Sequence, residues 1–202
     1  MTKFIYATSA RRCRMVKSAP VPCTKEEMDA LINAAKEDKF AYLLFKTARK
    51  TGRRLGEYYD IQVKDFDYEK KLMLTKVLKR KQRILKEAIL DDELAYLIEN
   101  HIRDCGLKLD DYIFRWQTKG KKISMRQIQN KVKTYSEKAG IPHNVSFHNF
   151  RHYFITELFK AGWSYEKISK LTGHSSVGTL AIYDHSVASD IADEARDAIR
   201  NI

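Results

Sequence analysis

The hydrophobic period of this chain changes twice, and that switch constrains its fold more than any other feature. Near the start, Met28, Leu31, Ile32 and Ala35 recur at helical spacing behind Thr24 and Glu27. Those two residues form a capping box, in which each side chain satisfies a backbone amide left open at a helix start. A second helix is predicted from about Phe40 to Lys50, stopping at Gly52, and a third, short one begins near Arg54. The period then turns to two. Residues 61–63, 71–78 and 83–90 read as strands, the last two joined by the polar turn Lys79-Arg80-Lys81-Gln82. Helical spacing returns with Leu94, Leu97, Ile98 and Ile102, ended by Gly106, and again over 124–139 with Ile128, Val132 and Tyr135 inward. Four short helical stretches follow, at about 150–160, 164–171, 176–183 and from 188 onward. The pattern predicts an α+β chain, mostly helical, with one small three-stranded antiparallel sheet.

The 202 residues suffice for one substantial domain with appendages. Residues 1–20 form a basic arm or linker with Arg11, Arg12, Arg14 and Lys17, residues 21–186 the domain, and 187–202 a helical tail. In that tail apolar Ala188, Ile191, Ala192, Ala195, Ala198 and Ile199 alternate with acidic side chains. With 38 Lys+Arg against 26 Asp+Glu, the formal charge is +12, which favours a polyanionic partner held in part by counterion release. Cys13, Cys23 and Cys105 form no disulfide framework and no metal-ligand pattern, which suggests a reducing interior. Neither a membrane span nor a signal peptide can be read, so a soluble intracellular protein is expected.

Five segments hold the side chains that could carry chemistry. Thr51-Gly52-Arg53-Arg54-Leu55-Gly56-Glu57 puts arginine and glutamate at a helix start. His148 and Arg151 stand at i and i+3, one face of a helical turn, in His148-Asn149-Phe150-Arg151-His152. His174 follows Leu171-Thr172-Gly173, and Tyr183 lies nine residues beyond it. Phosphoryl transfer needs a nucleophile and positive charge around phosphorus. Arginine suits the second task because its planar fork keeps its proton and reaches two oxygens. A phenol ionises near pH 10, so a phenolic nucleophile needs nearby cations. Each piece alone has a plainer reading: an Arg-Arg pair is usually a solvated patch, a single histidine a structural group, and hairpin lysines solubilising.

Taken together, these segments resemble the catalytic domain of the tyrosine recombinases, the phage-integrase and Xer-type family, from about Pro22 through Tyr183. The family pattern Thr-Gly-x-Arg-x-x-Glu selects Arg54 over Arg53 and gives Glu57 an orienting part. The resemblance implies that Arg54 and Arg151 hold the scissile phosphate and that His148 and His174 assist. Tyr183 would attack phosphorus to form a 3′-phosphotyrosyl bond with no metal, nucleotide or other cofactor. A lysine from the hairpin would protonate the leaving 5′ oxygen. Lys76, Lys79, Lys81 and Lys86 are available, Lys81 being favoured and Lys79 its rival. Arg11, Arg12, Arg14, Arg53, Lys79 and Arg80 would contact DNA. The implied partners are double-stranded DNA and, on it, a synaptic homotetramer formed from free monomers, in the nucleoid-associated cytoplasm of a prokaryotic cell or its virus or plasmid. The chain departs from the pattern at Gly56, at Phe150 and at Lys86-Glu87-Ala88-Ile89. Family members usually carry a helical core-binding domain before this one; about twenty residues precede Pro22 in this sequence, which fits either an isolated catalytic fragment or a minimal enzyme. A type IB topoisomerase shares the chemistry. Residues 164–180 also resemble a helix-turn-helix, which would make the chain a non-catalytic DNA-binding protein.

Overall fold

The computed structural model describes residues 21–79, 82–114 and 124–173, with backbone only at 77–79 and 82–84. Among them, helices α1 (Lys25–Ala34), α2 (Lys39–Thr51) and α3 (Leu55–Tyr58) precede the sheet strands β1 (Phe66–Asp67), β2 (Leu72–Lys79) and β3 (Gln82–Ile89). Helices α4 (Asp92–Asp104), α5 (Met125–Lys138), α6 (His148–Lys160) and α7 (Tyr165–Thr172) follow. The mostly helical α+β architecture with its three-stranded antiparallel sheet matches the expectation from the sequence. No described helix is long and apolar enough to cross a membrane.

Local signals start most of these helices. Thr24 Oγ1 accepts from Glu27 N–H at 3.2 Å while Glu27 Oε2 accepts from Thr24 N–H at 2.9 Å, closing the capping box. Ser124 and Gln127 repeat it at α5, and Asp38 and Asp91 cap α2 and α4. These helices bury one face. Met28, Leu31 and Ile32 of α1, Leu44 and Phe45 of α2, Leu94 and Ile98 of α4, and Ile128 and Val132 of α5 are nearly inaccessible. A run of rings crosses this core, from Phe45 to Phe150 (centroids 5.2 Å apart), Phe147 (5.4 Å), Tyr58 (5.8 Å) and Phe114 (5.8 Å). It joins α2 and α6 to the short α3, which has too few turns to hold its place alone.

The strands run in the order β1-β2-β3. Leu72 pairs with Ile89 and Lys79 with Gln82, so β2 and β3 are in register along their described length. Met73, Thr75 and Ala88 face the core, while Leu85 and Ile89 are exposed. One expectation needs correction: residues 61–63 are not a strand. Gln62 makes a single bridge to Tyr112, and Val63–Asp65 turn into a 3-10 helix. The cause is Asp65, whose carboxylate accepts from Gln62 N–H at 3.0 Å and stabilises the turn over an extended backbone. The third strand is instead β1. The helices predicted at 176–183 and from 188 lie outside the described residues.

Gly52 ends α2 at φ 58°, and a Cβ there would run into the ring of Phe154 on α6. Gly52→Ala combines the left-handed penalty, about 1–2 kcal/mol, with an overpacked contact, about 1–3 kcal/mol. Urea unfolding is expected to show a loss of about 2–5 kcal/mol; a loss below about 0.5 kcal/mol would contradict this packing.

Candidate functional site

Two helix ends of the same design frame the site. At the first, Thr51 Oγ1 donates to Thr47 O at 2.7 Å, and Gly52, left-handed, donates its N–H to Ala48 O. At the second, Thr172 Oγ1 donates to Ile168 O at 2.6 Å, and Gly173, at φ 74°, donates to Ser169 O. In sequence, Arg53-Arg54 follow the first glycine and His174 the second.

The first turn is held from beneath by Tyr58. Its hydroxyl lies 2.7 Å from Thr51 Oγ1 and accepts from Arg53 N–H at 2.9 Å. Because Thr51 donates its own proton to Thr47 O, the phenol donates to Thr51. Full burial pushes the phenol's pKa well above its ordinary value.

Adjacent arginines then take opposite courses. Arg54 is about half exposed and donates from Nη1 to Glu57 Oε1 at 3.2 Å, with Glu57 almost wholly covered. Arg53 is 2% exposed and donates from Nη2 to the Glu87 carbonyl of β3. The sequence reading placed Arg53 on the DNA-contacting surface. Its burial corrects that, since a covered guanidinium presents no face to a DNA backbone.

Arg151 is 1% exposed. Its Nη1 donates to Gly52 O at 2.8 Å and its Nη2 to Thr172 O at 3.1 Å, so one guanidinium touches both helix ends. One turn earlier on α6, His148 is exposed at the surface. Its pKa lies below the usual imidazole range, because of partial desolvation first and then the positive charges of Arg151 and Arg54. Those two charges act on one imidazole, which puts Arg54, His148 and Arg151 in a single electrostatic neighbourhood. His152 stands with its ring 5.6 Å from that of His148, and burial, reinforced by His148, pushes its pKa down to about 4.

The hairpin lysines separate by partner. Lys76 pairs with Asp65 at 2.9 Å. The ammonium end of Lys86 occupies the space that a Cβ on Gly173 would fill. Lys79 is the last residue of β2. Lys81, Arg80, His174, Tyr183 and the arm residues Arg11, Arg12 and Arg14 lie outside the described residues. Among the described ones, Arg54, Glu57, His148 and Arg151 are brought together. Sequence reasoning missed Tyr58, the Thr172 carbonyl and the seat of Lys86. Of these only Tyr58 left a trace, as an aromatic directly after Glu57.

The profile of the Phage integrase family matches residues 23–189. A tyrosine recombinase of Pseudothermotoga lettingae is 28% identical over 162 residues, covering 80% of this chain and 54% of that protein. Tyrosine recombinase XerA of Pyrococcus furiosus is 29% identical over 198 residues, covering 95% of this chain and 66% of that one. This chain therefore spans between about half and two thirds of the length of these relatives. In fold it is similar to the crystal structure of XerA recombinase, with a TM-score of 0.75 at 23% identity over 87% of this chain and 65% of that one. It is also similar to XerH site-specific recombinase bound to its palindromic difH substrate, at 0.73 and 21% over 87% and 52%. The chain belongs to the phage integrase family. Within that family it is the tyrosine recombinases that it resembles, in sequence and in fold.

Tyr58→Phe removes the acceptor of the buried Arg53 N–H while keeping the ring. We expect a stability loss of about 1–3 kcal/mol in chemical denaturation. An unchanged unfolding midpoint would show that the hydroxyl does not hold the turn.

Proposed function

We propose that this chain is the strand-cleaving and rejoining domain of a site-specific DNA recombinase or integrase, working through a 3′-phosphotyrosine. The observation that carries the reading is the meeting of Arg54, His148 and Arg151, from segments about a hundred residues apart, beside the Thr172-Gly173 turn that leads into His174.

In this reading Arg54 contacts a non-bridging oxygen of the scissile phosphate, and Glu57 fixes its fork. Arg151 supplies the second positive charge from beneath. Its anchoring to two backbone carbonyls makes it a preorganised part of the site, so little reorganisation is needed as charge develops on phosphorus. His148, its pKa lowered by partial desolvation and then by its cationic neighbours, can accept a proton or donate one hydrogen bond to the phosphate. His174 donates to a second oxygen. The Tyr183 oxygen attacks phosphorus as the bond to the 5′ oxygen breaks. That oxygen takes a proton from a hairpin lysine, Lys81 before Lys79, and leaves as a 5′-hydroxyl. Reversal by another 5′-hydroxyl rejoins the strand and regenerates the phenol, with no metal, nucleotide or other cofactor consumed.

Double-stranded DNA is the proposed substrate, in line with the +12 charge and with the XerH structure solved on its difH substrate. Arg11, Arg12 and Arg14 of a basic arm (1–20), with Lys79 and Arg80 at the hairpin, would grip its backbone around the catalytic domain (21–186). The tail (187–202) would pack between protomers of a tetramer assembled on DNA from free monomers. The proposed setting is the nucleoid-associated cytoplasm of a prokaryotic cell or its virus or plasmid.

The test is covalent trapping on nicked or supercoiled DNA in chelator, read on a denaturing gel. Wild type is expected to form a protein–DNA adduct and Tyr183→Phe none. Arg54→Ala should slow adduct formation roughly 100- to 1,000-fold with its fold retained. An adduct that survives in Tyr183→Phe would overturn the assignment of the nucleophile. Salt-sensitive DNA binding without any adduct would instead favour a binding module.

A further inference from the structure

Away from the arginines, three side chains with metal-binding chemistry meet where the chain enters α1. The Cys23 thiol, a carboxylate oxygen of Glu27 and a ring nitrogen of His143 lie within 4.8 Å of one another. They come from the residues before α1, from its first turn, and from the segment between α5 and α6. We propose that Cys23, Glu27 and His143 bind a divalent transition metal of the Zn²⁺ class and so fasten the start of the domain to the segment that leads into His148 and Arg151.

The donor set fits such an ion. Thiolate, imidazole and carboxylate together suit a borderline cation, and three protein ligands leave a fourth position for water. The surroundings already hold the ligands in place. Glu27 is fixed by the Thr24 amide, and its Oε2 lies 3.2 Å from His143 Nε2. That spacing suits two donors on one ion, so a cation bound at Nε2 takes the place of the hydrogen bond between the two side chains. Beside the thiol, the Asn149 side chain is fixed by Ser146, whose amide and hydroxyl both donate to its Oδ1, and by its own bond to Val21 O at 2.8 Å.

Cys23 is 6% exposed and sits beside the Glu27 carboxylate, so thiol, carboxylate and imidazole face one covered point. Binding would form the metal–sulfur bond and release the thiol proton to solvent. The thiolate and carboxylate together balance a charge of +2.

The probe is Co²⁺, added to the full-length reduced protein and followed by absorption. Wild type is expected to develop a thiolate-to-cobalt charge-transfer band and visible ligand-field bands, saturating at one equivalent. Cys23→Ser should abolish the charge-transfer band, Cys105→Ser should keep it, and Glu27→Gln should weaken Co²⁺ binding at least about 10-fold. Circular dichroism establishes that each variant is folded, and His143→Ala provides the same reading should Cys23→Ser fail that check. The proposal is overturned by a folded wild type with no charge-transfer band at millimolar Co²⁺, or by a band that survives in Cys23→Ser. Either outcome leaves His143 and Glu27 as an ion pair at a helix cap, and neither bears on the strand-cleavage reading.

Discussion

A buried guanidinium cannot be left without acceptors, because its charge loses hydration that only good hydrogen bonds replace. Arg151 meets much of that demand through Nη1 and Nη2, which donate to the carbonyls of Gly52 and Thr172. Both acceptors sit at helix C-termini, where the last carbonyls lack intrahelical partners and the helix dipole gathers partial negative charge. One side chain thus answers two needs, satisfying orphan carbonyls and neutralising the negative ends of α2 and α7. The requirement also works in reverse: α2, α6 and α7 must pack so that both carbonyls converge on one residue. Much of the remaining geometry depends on that convergence.

The two helix ends are built alike. Each finishes on a threonine whose hydroxyl bonds back to the carbonyl four residues earlier, followed by a left-handed glycine. In sequence, Arg54 follows the first turn and His174 the second. Fixing the first helix end therefore fixes where the Arg54 side chain starts. Tyr58 adds a brace under the first turn, and Phe154 fills the space that the absence of a Cβ on Gly52 leaves. Core packing and the site's electrostatics meet in α6, which presents Phe150 to the core, Arg151 to the helix ends and His148 to the surface.

How much of this was readable in the sequence depended on whether the controlling interaction was local. The capping box at Thr24, the glycine stops at Gly52 and Gly106 and the hairpin pairing of Lys79 with Gln82 all follow from residues within a few positions of each other. The strand expected at 61–63 failed because Asp65, just past it, captured the Gln62 amide and turned the chain. The family pattern singled out Arg54, His148 and Arg151, and preferred Arg54 to Arg53, yet nothing in the sequence shows that Arg53 is buried and Arg54 exposed. That difference is made by Glu87 and Glu57, one distant and one local. Nor can sequence show that Arg151 rests on backbone carbonyls, since an acceptor carbonyl leaves no residue-specific mark. The choice between Lys79 and Lys81 stays where the resemblance put it, with Lys76 set aside by its ion pair to Asp65.

The central claim is that Arg151 couples two helix ends that are remote in sequence. Amide hydrogen exchange on a folded Arg151→Leu variant, compared with wild type by mass spectrometry, tests it most directly. The account predicts faster exchange in two places at once, at the α2 end around residues 48–54 and at the α7 end around 168–173. The α1 and α5 amides should remain as protected as in wild type. Exchange that rises only along α6, or evenly across the whole domain, would contradict the coupling.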